Sequence, residues 1–214
     1  MRKTLTRFGI FDLSLATLPM IVELLAQPHG VQLGIQAQDM SSWPQLFTAA
    51  FAHANTGHLV ANLSGFWLLG FVLFQLHPKQ GRLLFWAFPV LTTFLVWLWA
   101  RPAVHLGASG WVFALAGALL FWGLKTRNPR TWAVAGMVLI LQSGIFVGLF
   151  PVEEGVSWES HLSGFVLGGL SGWLWLEKPV EEETKSNLLQ NDIIDYHQGY
   201  RPIETEDFKY VYRE

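Results

Sequence analysis

Six apolar runs constrain this chain more than any other feature, because each is long enough to cross a lipid bilayer. They lie at about 10–26, 57–76, 83–100, 109–124, 132–150 and 160–176. Of the 214 residues, 51% are hydrophobic and only 14% are charged, whereas soluble domains carry about a quarter charged residues. The sequence therefore predicts an all-α polytopic membrane protein with six transmembrane helices.

The first run has an alternative interpretation as a cleaved signal peptide, since Arg2, Lys3 and Arg7 precede it. However, Asp12 and Glu23 interrupt the run, and no small-x-small cleavage site follows it. We therefore expect a retained first helix, with both acidic side chains near its ends and close to the lipid headgroups.

The basic residues of the loops lie on one side of the predicted membrane. The N-terminal tail and the loops 77–82 and 125–130 hold eight Lys or Arg. The opposite loops, which contain Arg101 alone, are 27–56, 101–108 and 151–159. By the positive-inside rule both termini face the cytoplasm, and the compact plan suits a bacterial inner membrane.

A polar tail follows the last span. We divide the chain into a six-helix membrane domain, 1–178, and a cytoplasmic tail, 179–214. Residues 177–214 carry ten acidic and five basic residues, a composition typical of a weakly ordered segment. A folded regulatory element is the alternative, and a short helix over 187–196 is compatible with either.

Three polar residues from different spans are predicted to lie at one depth. Asn62, Ser109 and His161 stand 14, 15 and 15 residues before the inner boundaries of their spans. At 1.5 Å per residue this is about 21–23 Å above the inner edge, within a hydrocarbon core of about 30 Å. His58 shares a helix face with Asn62. Polar groups inside a span are costly, so each is a functional candidate.

This set of residues suits acyl transfer by a serine nucleophile. A serine hydroxyl is weak until a neighbouring base removes its proton, and a neutral imidazole does so near neutral pH. Ser109 and His161 supply these two groups. No acidic residue is evident at this depth, so we expect a Ser-His dyad rather than a triad.

The same chemistry requires donors for the oxyanion that forms on the substrate. His58, Asn62 and the amides around Ser109 offer such donors, the last because they start a helix. Gly107 and Gly110 allow a tight turn beside the nucleophile.

Two rows of small residues explain how the dyad could meet. They are Gly164, Gly168 and Gly172 with Ser160 on the sixth span, and Gly110, Ala114, Gly117 and Ala118 on the fourth. Such rows let two helix backbones approach closely.

At these residues the chain closely resembles the rhomboid family of intramembrane serine proteases. The family's Gly-x-Ser-Gly segment is present at 107–110. Its second-helix and sixth-helix patterns are present as His53, His58 and Asn62, and as His161, Gly164 and Gly168. The three motifs occur in the family order, cover roughly 43–176, and are together highly specific.

The resemblance implies Ser109 as nucleophile and His161 as general base, with His58, Asn62 and the Ser109 amide stabilising the oxyanion. In many members an aromatic ring four positions after the nucleophile stacks on the histidine, and here that residue is Phe113. The implied substrates are membrane proteins with a transmembrane segment, cut near the outer boundary of the bilayer. No cofactor, metal or nucleic acid is implied.

The chain departs from the family in its first external loop, where Trp43-Pro44 replaces the common Trp-Arg. This departure weakens inference about lateral access of substrate, not about the chemistry. The family would also make the helix 132–150 and the loop 151–159 a movable gate and cap.

Three other classes remain as alternatives. A catalytically dead relative would lack the serine or histidine, and a proton-relay transporter would show acidic residues at mid-depth and an internal repeat. A metal site on His58 and His161 lacks a carboxylate or thiol to complete it. We assign no chemistry to the remaining histidines, which are His29, His77, His105 and His197.

Overall fold

The computed structural model of the chain describes residues 2–25, 30–126, 128–141, 145–152 and 155–177. The predicted tail and its short helix lie outside these residues. In chain order the elements are α1 (Arg2–Leu25), α2 (Gly30–Leu33), β1 (Ile35–Gln36), the 3-10 helix η1 (Met40–Phe47), α3 (Thr56–Leu76), α4 (Gln80–Trp99), β2 (Val104–His105), α5 (Ser109–Thr126), α6 (Pro129–Leu141), α7 (Ile145–Gly148) and α8 (Trp158–Leu174).

The long helices follow the predicted apolar runs. Five runs correspond to α1, α3, α4, α5 and α8, while the run 132–150 is described as α6 and α7. In the described ranges, α3, α4 and α5 are long and apolar enough to cross a membrane, and residues 131–140 form a shorter apolar helix. The protein is therefore mostly helical with several membrane-spanning candidates.

The position of Asp12 differs from the expectation that it lies at a helix end. Because α1 already begins at Arg2, Asp12 lies in the middle of that helix, and its side chain is buried. Arg82 Nε lies 2.8 Å from its carboxylate, and the Trp86 indole donates to it at 3.1 Å. A charge can be buried when it is paired and hydrogen-bonded in this way. Glu23, nearer the helix end, accepts a hydrogen bond from the backbone N–H of His53 at 3.0 Å.

An aromatic cluster fixes the start of α5. Trp111, only two residues after Ser109, is fully buried. Its ring centroid lies between 4.7 and 6.0 Å from those of four other rings, which belong to Phe51, Phe66, Phe85 and Trp86. Large buried rings contribute much apolar area and prefer such edge-on and tilted contacts. The cluster therefore ties the beginning of α5 to α3, α4 and the first loop.

Helices α5 and α8 touch backbone to backbone along a line that we call the α5–α8 seam. A Cβ atom added at Gly164, Gly168 or Gly172 would overlap a carbonyl oxygen of α5. The three oxygens belong to Gly110, Ala114 and Ala118. This confirms the predicted contact between the two rows of small residues, because only glycine leaves room for this approach.

Two short strands join the first loop to the loop that precedes α5. β1 pairs antiparallel with β2, with Ile35 opposite His105 and Gln36 opposite Val104. Between β1 and α3, Pro44 lies inside η1, and the neighbouring Trp43 is exposed. The strand pairing holds the segment before Ser109 against the first loop.

Candidate active site

One cavity collects the residues to which the sequence analysis assigns chemistry. It has a volume of about 710 Å³ and opens at the end of the bundle where α5 and α8 begin. Its lining includes His58, Asn62, Ser109, Phe113 and His161. Side chains from α3, α5 and α8 therefore face the same space, although they are far apart along the chain.

Ser109 is the first residue of α5 and is partly exposed to this cavity. The turn before it depends on Gly107, whose φ of 113° is in the region that side chains rarely adopt. The Gly107 amide donates to the Ala49 carbonyl at 2.9 Å. The first helical hydrogen bond runs from Val112 to Ala108, so the Ser109 amide has no helical acceptor.

His53 supports the same turn from the first loop. Its Nδ1 lies 3.0 Å from the Phe51 carbonyl oxygen, so this nitrogen carries the proton and donates. Its Nε2 accepts from the Ala108 amide at 3.4 Å. Burial lowers the pKa of His53 to about 4, against the opposing effect of the Phe51 hydrogen bond. The ring is therefore neutral at physiological pH and can serve as an acceptor for the amide that precedes Ser109.

His161 is held in a defined plane and tautomer. Its ring stacks on Phe113, with centroids 4.1 Å apart and an interplanar angle of 7°. Its Nδ1 lies 2.9 Å from the Gly148 carbonyl oxygen. Since a carbonyl only accepts, Nδ1 carries the proton and the neutral ring keeps a lone pair on Nε2. That lone pair is what a general base needs.

The structure brings Ser109 and His161 to the same cavity without a hydrogen bond between them. Within the described part of the chain, the hydrogen bond of His161 goes to Gly148 and none joins it to the Ser109 hydroxyl. Catalytic hydrogen bonds are often long until substrate binds. Ser109 and His161 therefore line one cavity without direct hydrogen bonding between them.

His58 and Asn62 converge on the turn before Ser109. A Cβ atom added at Gly107 would lie 2.9 Å from His58 Nε2 and 3.6 Å from Asn62 Nδ2. The Asn62 amide nitrogen is buried and has no hydrogen-bond partner among the described residues. An unpaired buried donor is costly. Such a donor, close to the turn before Ser109, is suited to bind a ligand oxygen.

The structure also shows contacts that the sequence analysis did not assign. The Gly148 carbonyl orients His161, and a polar cluster is formed by Arg101, His105 and Glu159, of which His105 lines the cavity. A signal for the cluster exists in the sequence, because Arg101 is the lone basic residue of its side and Glu159 is two residues before His161. Across the described ranges, no three His, Asp or Glu side chains could hold a metal ion.

Comparison with known proteins identifies the family. A family model described as the rhomboid domain matches residues 40–178. An uncharacterized protein of Mycobacterium tuberculosis is 32% identical over 78% of this chain and 74% of its own length. Rhomboid-like protein 11, chloroplastic, of Arabidopsis thaliana is 30% identical over 76% of this chain and 57% of its own. RHOMBOID-like protein 1 of the same plant is 28% identical over 63% of this chain and 35% of its own. The chain therefore belongs to the rhomboid family, a family of membrane-embedded proteases.

Proposed function

We propose that this protein is an intramembrane serine endopeptidase that cleaves transmembrane substrates near the outer membrane boundary with a dyad of Ser109 and His161. The observation that carries the proposal is the state of His161. Its Nδ1 is committed to the Gly148 carbonyl and its ring is stacked on Phe113, while it lines the same cavity as Ser109. A neutral imidazole with a free Nε2 is the base that a serine nucleophile requires.

The proposed reaction starts when His161 Nε2 takes the hydroxyl proton of Ser109. The Ser109 oxygen attacks the scissile carbonyl carbon, and the carbonyl oxygen becomes an oxyanion. His161 then gives the proton to the leaving amine, and the C–N bond breaks to leave an acyl-enzyme. A water molecule, deprotonated by the same imidazole, hydrolyses the ester and restores Ser109.

The oxyanion has three donors within the proposed site. Asn62 Nδ2, the His58 ring and the Ser109 amide all lie around the turn at Gly107. The buried and unpaired Asn62 amide supports this assignment, because its cost in the resting protein is recovered when charge develops on the substrate.

The Gly148 carbonyl takes the structural part that a carboxylate plays in a triad. It orients the imidazole and selects its tautomer, but it carries no charge to stabilise the imidazolium. The stacked Phe113 ring keeps the imidazole from tilting out of its plane. In this proposal, one carbonyl and one ring together hold the imidazole while its Nε2 remains free to act as the base.

The proposal extends to the position of the chain in the membrane. Helices α1, α3, α4, α5 and α8, together with the α6–α7 segment, would make six spans with both termini in the cytoplasm, in the inner membrane of a bacterium. The distribution of Lys and Arg over the loops supports this orientation. The cavity would then open towards the outer face, where water can reach the dyad.

A fluorophosphonate serine probe tests the proposal directly. We expect the purified protein to be labelled, and the Ser109→Ala and His161→Ala variants to lose both labelling and cleavage of a transmembrane substrate. Unchanged melting temperatures in detergent would show that the variants still fold. Cleavage retained by Ser109→Ala would rule out the dyad, and an unlabelled but folded wild type would favour a non-catalytic rhomboid relative.

A further inference from the structure

The two segments that carry Ser109 and His161 are joined by a buried imidazole that the proposed reaction does not use. His105 is buried in the loop before α5. Its Nε2 lies 3.0 Å from the Arg101 carbonyl oxygen, within the same loop. Its Nδ1 lies 2.6 Å from the Ser157 hydroxyl, on the segment that begins α8. His105 therefore links one catalytic segment to the other.

The direction of each hydrogen bond in this link can be assigned. A carbonyl only accepts, so His105 Nε2 carries the proton and donates to Arg101. In the neutral ring Nδ1 is then an acceptor, and the Ser157 hydroxyl donates to it. Ser157 is also the N-cap of α8, because its oxygen accepts from the Ser160 amide at 3.3 Å. The chain of bonds thus reaches the first turn of the helix that carries His161.

Arg101 supplies a second link between the same segments. Its Nη2 donates to the Val156 carbonyl at 2.7 Å, and its Nε lies 3.4 Å from Glu159 Oε1. The Glu159 side chain is 2% exposed, so the nearby guanidinium lowers the cost of burying its charge. We call the set of Arg101, His105, Ser157 and Glu159 the outer clamp.

The outer clamp is anchored on its other side as well. His105 lies in β2, whose backbone pairs with Ile35 of β1. Strand pairing therefore holds the loop before α5 against the first loop, while the hydrogen bonds of the outer clamp connect the same loop to the start of α8. If the start of α8 moved relative to Ser109, either the hydrogen bonds of His105 or the pairing of β2 with β1 would have to break.

We propose that the outer clamp positions the dyad, with His105 as the positioning residue that acts through Ser157. His105 stands four residues before Ser109, and Ser157 stands four residues before His161. Short segments of this length transmit a shift at the clamp to the reacting groups, and a misplacement of about 1 Å can cost a hundredfold in rate. This inference rests on the proposed function, since it concerns the alignment of that dyad.

Matched substitutions at His105 separate its two hydrogen bonds. Asparagine places its amide near the position of Nδ1 and keeps the contact with Ser157, whereas glutamine reaches the position of Nε2 and keeps only that with Arg101. We expect His105→Gln and Ser157→Ala each to lower kcat about tenfold, as loss of one buried hydrogen bond would. KM should stay unchanged, and the rate of fluorophosphonate labelling should fall with kcat. His105→Asn and Ser157→Thr should retain most activity, and the His105→Gln/Ser157→Ala double variant should be no slower than either single one.

Equal impairment in His105→Asn and His105→Gln, or a change in KM alone, would overturn the proposal.

A second measurement does not depend on activity. The chain has no cysteine, so spin labels can be placed at Pro102→Cys and Val166→Cys, two exposed positions on the two segments. We expect one narrow distance distribution with His105 and a broader one with His105→Gln. Distance distributions of equal width would overturn the proposed role of the outer clamp, whether or not the protein is active. A wild-type protein that the fluorophosphonate never labels would overturn the proposed function instead.

Discussion

Helix α5 packs against two neighbours in different ways. Against α8 it makes backbone contact at three successive glycines, from Gly164 to Gly172. Against α6 it makes close contact at Gly123, where an added Cβ atom would lie 2.6 Å from the Thr131 carbonyl oxygen and 3.0 Å from Ala135 Cβ. Five residues after Thr131, Gly136 faces no atom within 4 Å. Direct backbone contact with α5 therefore repeats at three positions along α8, whereas Gly136 of α6 faces open space.

The difference matches what each helix carries. α8 holds His161, which the proposed reaction requires close to Ser109, and direct backbone contact from Gly164 onward leaves that part of the helix little freedom for adjustment. Among the described residues of α6 and α7, Gly148 contacts the His161 ring through its carbonyl oxygen. A shift of that segment would leave the α5–α8 seam intact, which supports the hypothesis that 132–150 acts as a gate. Under that hypothesis the seam would preserve the alignment of the proposed dyad, and the α6–α7 side would control access to it.

The largest expected effect comes from replacing a glycine of α8 by alanine, and the same replacement in α6 serves as its control. Gly168→Ala would place a methyl group against the Ala114 carbonyl, forcing the helices apart at a cost of about 1–3 kcal/mol or more. Labelling of Ser109 should be lost and the melting temperature lowered. Gly136→Ala has open space and removes a flexible helical glycine, so it should keep activity and change stability by less than about 1 kcal/mol. Equal effects of the two substitutions would contradict the comparison.

A disulfide between cysteines introduced in the outer halves of α3 and α6 tests the gate. If α6 must move to admit a substrate helix, the oxidised protein should lose cleavage of transmembrane substrates. Labelling by the small fluorophosphonate should persist, because the seam and the dyad are untouched, and reduction should restore cleavage. Unchanged turnover of the oxidised protein would count against gating. The same two cysteines placed singly provide the control.

Asn62→Ala extends the comparison of α8 and α6 to α3, the third helix that lines the site, by removing a proposed oxyanion donor. Loss of one oxyanion donor should lower kcat about a hundredfold, with little change in KM. Stability should not fall, since the Asn62 amide nitrogen has no partner to lose among the described residues. Asn62→Asp keeps the size but offers no amide donor, and it should be impaired at least as much. A large drop in melting temperature with normal kcat would show that α3 contributes packing alone.

Phe113→Leu should have the smallest effect. Removal of the stacked ring loosens His161 across the seam, and such aromatic contacts are worth about 0.5–1.5 kcal/mol, or roughly twofold to thirteenfold in rate. Phe113→Tyr retains the ring and should be close to wild type. Steady-state cleavage assays on both variants measure the difference. A wild-type rate in Phe113→Leu would mean that the Gly148 carbonyl alone orients the imidazole.

Much of the framework follows from local pattern in the chain. Apolar runs predict the long helices because lipid demands internally bonded backbone, and the small residues of the fourth and sixth spans predict the α5–α8 seam. Asp12 shows where the pattern misleads. An acidic residue in an apolar run suggests a helix end, but its partner Arg82 lies 70 positions away and comes close only in the fold. The Gly148 carbonyl was not predictable either, since any residue type offers the same oxygen.

By itself the sequence determined the helical class, the family, and the residue types able to perform acyl transfer, because these depend on composition and on motifs within single segments. Only the tertiary structure decided which nitrogen of His161 is free, that His53 supports the Ala108 amide, and that His105 joins the segments that carry Ser109 and His161. Those properties depend on hydrogen bonds between groups that are distant along the chain. Their geometry is set by how whole helices pack, which no local pattern of side chains encodes.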